Sequence, residues 1–271
     1  MNRIKETFNQ LKKNNKKALG IFLTAGDPDF ENSLSLIKKL PQNGVDFVEI
    51  GMPFSDPMAD GPSIQLSSQR ALKSGMNVTN CLSLVEKFRK LNTHTPIILM
   101  GYYNPIYKFG KEKFIQQCLN SGVDGLIVVD LPPEEDDEFY IEAEKNKLSM
   151  IRLVTPTTNE KRLNKILFNA TGFVYYVSIT GITGTQAPNI ENVSSKLKKI
   201  KSVTDLPVVI GFGIRSPSQA LSIANISDGI VVGSAVVDLI ESSLDKDDNP
   251  TKNTLNSCLD FIGKVSKSVK H

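Results

Sequence analysis

Eight apolar, β-branched runs punctuate the chain. They are "ALGIFLTAG" (18–26), "DFVEIGMP" (46–53), "TPIILMGYY" (95–103), "DGLIVVDLP" (124–132), "SMIRLVTP" (149–156), "GFVYYVSI" (172–179), "LPVVIGFG" (206–213) and "DGIVVGSA" (228–235). None alternates apolar with polar positions as a half-exposed strand would. Near-continuous Val/Ile/Leu content predicts parallel strands covered on both faces. The intervening segments carry helical spacing: Leu34, Leu36, Ile37 and Leu40; then Val85, Phe88 and Leu91; then Phe114, Ile115, Cys118 and Leu119. Gly44 and Gly122 follow two of these segments, where glycine supplies the left-handed residue that stops a helix. Each leads through Val-Asp into the next run, so a phrase repeats: "NGVDFVEI", "SGVDGLIV" and, more loosely, "ISDGIVV". "PIILMG" and "PVVIGFG" form a second repeated phrase, and such self-similarity fits a stacked strand–helix unit. Ile4, Phe8 and Leu11 predict a further short amphipathic helix that covers one end of the core, a membrane surface being the alternative.

Eight strand–helix units predict an α/β fold, a (β/α)8 TIM barrel with an extra N-terminal helix, as a single domain over residues 1–271. An open doubly wound sheet is the rival. It usually carries G-x-G-x-x-G after its first strand, where this chain reads "TAGDPDF". No linker or low-complexity tract marks a second domain, and only "ESSLDKDDNPTKN" reads as a polar loop.

Composition narrows the class. With 271 residues, 40% hydrophobic, the chain can bury a full core, and a net charge of +3 is too mild to argue for nucleic acid. Cys81, Cys118 and Cys258 are far apart and form no C-x-x-C, so they read as free thiols of a reducing cytosol. The N-terminus lacks a secretion signal's apolar core, and no run reaches transmembrane length. The expected location is cytoplasmic.

In a barrel of this kind the strand C-termini form the site. Glu49 lies inside a core strand, where a carboxylate is costly unless it is partnered or functional. An apolar barrel mouth would favour its protonated form, which suits a general acid that later acts as a base. The alternative is a hydrogen-bonded structural acid. Asp60 follows on a proline-studded loop, as a second acid or as a turn cap before Gly61. Asp130 is expected to cap the helix that follows it, with Pro132 and the acids of "LPPEEDD" in the first turn. Gly211, Phe212 and Gly213, with Gly233 and Ser234, end the last two runs. There, glycine turns and a helix N-terminus suggest a phosphate site, and "GITGT" (181–185) could add a third wall. His94 and His271 are the two histidines, and neither ends a predicted strand, so no metal site is expected. No lysine lies in the C-terminal half of a predicted strand, which disfavours Schiff-base chemistry. Metal-free acid/base work on a phosphorylated substrate remains.

At this point "VEIGMPFSDPMADGP" resembles the signature of the tryptophan synthase alpha subunit family. So do "LTAGDPD", "GLIVVDLPPEE", "GITGT", "GFGI" and "GSA", and the resemblance covers essentially the whole chain. It implies a barrel that cleaves indole-3-glycerol phosphate to indole and glyceraldehyde 3-phosphate. It also implies a beta-subunit partner in an alpha2beta2 heterotetramer, with pyridoxal phosphate in the partner and no cofactor in this chain. By the same resemblance Glu49 protonates indole C3 and Asp60 handles the indole N–H. Tyr175 positions the substrate, and Phe22, Ile64, Met100 and Phe212 form an apolar wall. Thr183 is a lid residue, and Gly184, Gly213, Gly233 and Ser234 bind phosphate. Asp56, Pro57 and Asn104 meet the partner, on a rim that includes "GYYNPIYKF". Two positions depart from relatives: Ile179 replaces an Arg, and Met100 often replaces a Leu. Two other functions stay open: another metal-free phosphosugar enzyme, and a silent subunit that only activates a partner.

Overall fold

The computed structural model describes residues 2–177, 190–211 and 213–270. Its strands are β1 (Ala18–Thr24), β2 (Phe47–Gly51), β3 (Ile97–Gly101), β4 (Gly125–Val128), β5 (Ser149–Met150), β6 (Arg152–Val154), β7 (Val174–Val177), β8 (Val208–Gly211) and β9 (Gly229–Val232). The helices are α1 (Arg3–Lys13), α2 (Phe30–Lys39), α3 (Pro62–Lys73), α4 (Val78–Arg89), α5 (Tyr103–Phe109), α6 (Lys111–Ser121), α7 (Tyr140–Lys145), α8 (Glu160–Leu167), α9 (Ile190–Lys201), α10 (Pro217–Ala224), α11 (Ser234–Ser242) and α12 (Thr254–Lys270). The strands form one sheet in the order β5-β4-β3-β2-β1-β9-β8-β7-β6, with every strand pair parallel.

Nine strands reconcile with eight runs because β5 and β6 flank the single residue Ile151 within the 149–156 run. β5 pairs with β4, β6 pairs with β7, and the Ile151 N–H donates to the Leu126 carbonyl at 3.0 Å. The two sheet edges are thus halves of one chain segment, and the barrel closes through it. Closure and the helical jacket bury both strand faces. β1, β2, β3, β4, β7, β8 and β9 are accordingly buried almost throughout.

Side chains alternate between two cores. Outward residues such as Leu19, Val48, Leu99 and Ile210 pack against the helices. Inward residues such as Phe22, Phe47, Ile98, Ile127, Phe173, Tyr175 and Val209 fill the barrel. α1 closes the N-terminal end as the sequence predicts: Ile4 and Phe8 are buried, and Phe8 meets the Phe47 and Phe173 rings at 6.1 and 5.6 Å. Glycines make room for these rings. A Cβ on Gly20 would stand 2.3 Å from the Phe47 ring. Gly20→Ala is therefore expected to cost about 1–3 kcal/mol through overpacking, read as a lower urea midpoint.

The repeated Val-Asp phrase has a structural cause. Asp46, Asp124 and Asp228 each accept the first free N–H of the preceding neighbour strand's end, from Leu19, Ile97 and Val208 at 2.7, 2.8 and 2.7 Å. Parallel strands leave these donors unpaired at the barrel's N-terminal end, and a short carboxylate satisfies each. Gly44 and Gly122 have φ of 82° and 85°, the left-handed conformation expected of them. Gly44 ends a short 3-10 turn (Pro41–Asn43) after α2 rather than α2 itself.

Candidate active site

β2 places Phe47, Glu49 and Gly51 inward, stacked toward the barrel's C-terminal mouth. Glu49 sits beside Phe22 of β1 and Ile98 of β3 in register. It is fully buried, and neither carboxylate oxygen has a hydrogen-bond partner among the described residues. Among the described residues nothing satisfies it as a structural acid. Burial raises its pKa from 4.5 to about 8, and the nearby charge of Asp60 adds to the effect. Gly51 is small for a reason: a Cβ there would stand 2.6 Å from the Phe22 ring, which leans over Glu49's strand.

Asp60 reaches the mouth from the loop between β2 and α3. Its Oδ2 accepts the Tyr102 hydroxyl at 3.1 Å, and its carbonyl accepts Gln65 Nε2 at 2.8 Å. The carboxylate caps no turn: Gly61 begins α3 without a side-chain cap. Burial raises Asp60 from 3.8 to about 6, and the Tyr102 bond opposes the rise. Glu49 is still neutral where Asp60 titrates, so their repulsion falls on the later ionisation, that of Glu49. Between about pH 6 and 8 one carboxyl is protonated and the other ionised.

Phe22, Ile64 and Met100 lie together with Tyr175 in one buried cluster within the barrel. Tyr175 is fully enclosed, and burial followed by the Glu49 charge holds its phenol protonated. A cleft at the mouth joins Phe22, Ile64, Met100, Asp60, Tyr102 and Val129. A larger groove of about 330 Å³ lies outside the barrel between α8 and α9, but the carboxylate on it, Glu160, is exposed. At the mouth, by contrast, Glu49 is fully buried and Asp60 partly so, and both have raised pKa values.

Gly213 and Gly233 follow the adjacent strands β8 and β9. Gly213 has φ of 78°, which a side chain would strain. Gly233 precedes α11; its carbonyl accepts the Val236 and Val237 N–H groups at 2.8 and 3.1 Å, while those of Ser234 and Ala235 come before any carbonyl they could reach within the helix. Arg215 pairs with Asp238 and so ties the β8 loop to α11. Ile179, Thr183, Gly184 and Phe212 lie outside the described residues.

Asp130 does not cap the helix after it. Its Oδ1 accepts the Tyr103 N–H at 2.8 Å and so caps α5 from the neighbouring loop. The segment after Asp130 instead opens as a 3-10 turn (Pro133–Glu138) with no side-chain cap, so no local donor awaits the carboxylate. Tyr102, which the sequence reading does not single out, holds Asp60; a buried tyrosine ending a strand needs a hydroxyl partner, which is the signal the sequence offers. Asp56 and Asn104 are exposed and Pro57 partly so, on the rim of the same mouth. Residues 103–109 of that rim form α5 rather than a loop.

Among the described residues, no group of three His, Cys, Asp or Glu side chains could hold a metal ion. The family model described as tryptophan synthase alpha chain matches residues 8–266. The tryptophan synthase subunit alpha of Legionella pneumophila superposes with a TM-score of 0.90 at 38% identity, covering 99% of this chain and 98% of that one. A structure from Aquifex aeolicus gives 0.89 at 38% identity, with complete coverage of both chains. The tryptophan synthase of Mycobacterium tuberculosis gives 0.88 at 31% identity over 99% and 98% of the chains. With two carboxyls of opposite protonation at the mouth of a closed barrel, and a match over nearly its full length, the chain belongs to the tryptophan synthase alpha chain family.

Proposed function

We propose that Glu49 and Asp60 divide the acid–base work of the family's lyase reaction, the retro-aldol cleavage of indole-3-glycerol phosphate to indole and glyceraldehyde 3-phosphate. The observation that carries this reading is Glu49, a buried carboxyl with unpartnered oxygens that stays protonated at neutral pH beside an ionised Asp60.

The carbon–carbon bond breaks only if the ring can accept its electrons. Glu49 delivers its proton to indole C3 and gives a cation with a C2=N bond. The Asp60 carboxylate faces the ring N–H and stabilises that positive charge. Glu49, now ionised, removes the proton of the side-chain hydroxyl next to C3. The oxygen becomes the aldehyde of glyceraldehyde 3-phosphate, the C3–carbon bond breaks, and its electrons restore the ring. Glu49 ends protonated, so the cycle closes without net proton change.

Tyr175, Phe22, Ile64 and Met100 would hold the flat ring, with Phe212 completing the wall and Thr183 acting as a lid. Gly213, Gly233, Ser234 and Gly184 would bind the phosphate through backbone N–H groups. The chain works as a single barrel domain in the cytoplasm and needs no cofactor of its own. Its partner is a pyridoxal phosphate-dependent beta subunit, in an alpha2beta2 assembly that receives the indole. Asp56, Pro57 and Asn104 meet that partner, on a rim where Met58 and Tyr107 are 81% and 62% exposed.

The test is indole release from indole-3-glycerol phosphate by the purified chain with chelator present. Slow release that accelerates on adding a beta subunit supports the reading. No indole under either condition sinks it. Asp60→Asn is expected to lower kcat about a hundredfold, since it removes a charge that stabilises the cation.

A further inference from the structure

We propose that Tyr102 is a positioning residue for this reaction, whose hydroxyl fixes the Asp60 carboxylate and its loop against the end of β3. The inference rests on the reading of Asp60 as the group that works ionised at the indole nitrogen.

The geometry is specific. Tyr102 follows β3 directly and is 3% exposed. Its hydroxyl accepts the Ala59 N–H at 3.0 Å and donates to Asp60 Oδ2 at 3.1 Å. One oxygen therefore holds two consecutive residues of the acid's loop, one by main chain and one by side chain. The ring lies 5.3 Å from that of Phe54, at the loop's other end. The loop's remaining hydrogen bonds among the described residues are local: Asp60 N–H to the Pro57 carbonyl, Met58 N–H to the Asp56 carbonyl, the Ser55 hydroxyl to Asp56, the Ile64 and Gln65 N–H groups to the Gly61 carbonyl, and the Gln65 side chain to the Asp60 carbonyl. Among the described residues, Tyr102 supplies the hydrogen bonds that cross from residues 53–61 to a different strand end. Tyr102 is itself braced, because the next N–H, that of Tyr103, is capped by Asp130.

The hydroxyl has one proton, and it points at Asp60. Accepting the Ala59 N–H polarises the O–H and strengthens that donation. A donor of this kind favours the carboxylate over the carboxylic acid. Among the described residues, the titratable groups facing this pair are Glu49 from β2, Tyr175 from β7 beside Glu49 and Asp130 from the β4 loop. None of these is a cation, and the hydroxyl is what opposes burial at Asp60. Tyr102→Phe keeps the ring and its packing and deletes only this donor.

The experiment is the pH profile of kcat/KM for indole release by wild type, Tyr102→Phe, Asp60→Asn and the double variant. The low-pH limb of Tyr102→Phe is expected to move up by about one pH unit, with a loss of about five- to tenfold near the wild-type limb and far less above it. On the Asp60→Asn background Tyr102→Phe should add little, because its effect passes through Asp60. An unmoved limb, or a loss that is uniform with pH and additive with Asp60→Asn, overturns the proposal and leaves Tyr102 a packing residue. If Asp60→Asn alone leaves activity and limb intact, the reading of Asp60 fails instead, a separate outcome. Should Tyr102→Phe fold poorly, 3-fluorotyrosine at position 102 keeps both bonds with a stronger donor and must shift the limb downward.

Discussion

Replacing Glu49 by Gln is expected to stop indole formation and, above neutral pH, to make the protein more stable. The catalytic half follows from the double use of this carboxyl. It gives a proton to carbon and then takes one from oxygen, and an amide does neither at a useful rate. A loss of at least about a thousandfold in kcat is expected, toward the upper range for one acid–base group. The substrate should still bind, since the apolar wall and the phosphate cradle are untouched.

The stability half follows from linkage. In the unfolded chain Glu49 ionises near 4.5, and in the barrel it holds its proton to about 8. Below about pH 4.5 both states are protonated and the residue adds no pH dependence. As pH rises toward 8 the unfolded state sheds a proton that the folded state keeps, so stability falls. Above about pH 8 the folded state carries a buried, unpartnered charge and the full cost is present. That cost is on the order of 3–5 kcal/mol. Gln has the same shape and leaves its polar atoms equally unpartnered, but it never ionises. Denaturant unfolding at about pH 5 and about pH 9 should show a gain for Glu49→Gln at the higher pH and little at the lower. An equal difference at both would mean that Glu49 titrates as an ordinary acid, and the acid role would lose its physical basis.

The burial that keeps Glu49 protonated also explains what is legible in the sequence. Glu49 could be singled out because a carboxylate inside "FVEIG" contradicts its surroundings, and such a contradiction survives without coordinates. The eight runs could be read because closure buries both strand faces and removes any alternation. The break at Ile151 could not be read: the pairing changes partner there, while the composition of "SMIRLV" does not change. In sequence, a capping aspartate such as Asp130 looks alike whether it serves its own helix or a neighbour's. Its true partner, the Tyr103 N–H, is 27 residues earlier and adjacent only once β3 and β4 pair. Tyr102 gives no local sign of its role for the same reason, since its acid arrives from a loop 42 residues back. Long-range polar pairs leave little local trace, whereas burial and turn chemistry do.

Asp124→Ala is expected to give the largest loss of stability among the polar residues at the barrel's N-terminal end, with activity per folded molecule unchanged. Asp124 accepts the Ile97 N–H, pairs with Arg3 at 2.8 Å and pairs with Arg89 at 2.5 Å, while Arg89 also donates to the carbonyls of Gly122, Asn92 and Thr95. The carboxylate thus joins α1, α4, β3 and β4. Arg89 has 10% of its side chain exposed, and burial already lowers its pKa to about 10. Removing the anion strands that guanidinium and leaves the Ile97 donor unmet, a loss of about 3–5 kcal/mol. The counterpart Asp228 accepts the Val208 N–H but pairs with Lys201, whose side chain is 44% exposed. Water can take over that lysine, so the ion pair there is worth about 0–1 kcal/mol and Asp228→Ala should cost less. Urea unfolding of the two variants decides the matter. Equal losses would mean that the strand-end hydrogen bond, common to both, matters more than the buried arginine. A drop in the specific activity of folded Asp124→Ala would mean that the two ends of the barrel are coupled, against the separation of stability from catalysis that this architecture implies.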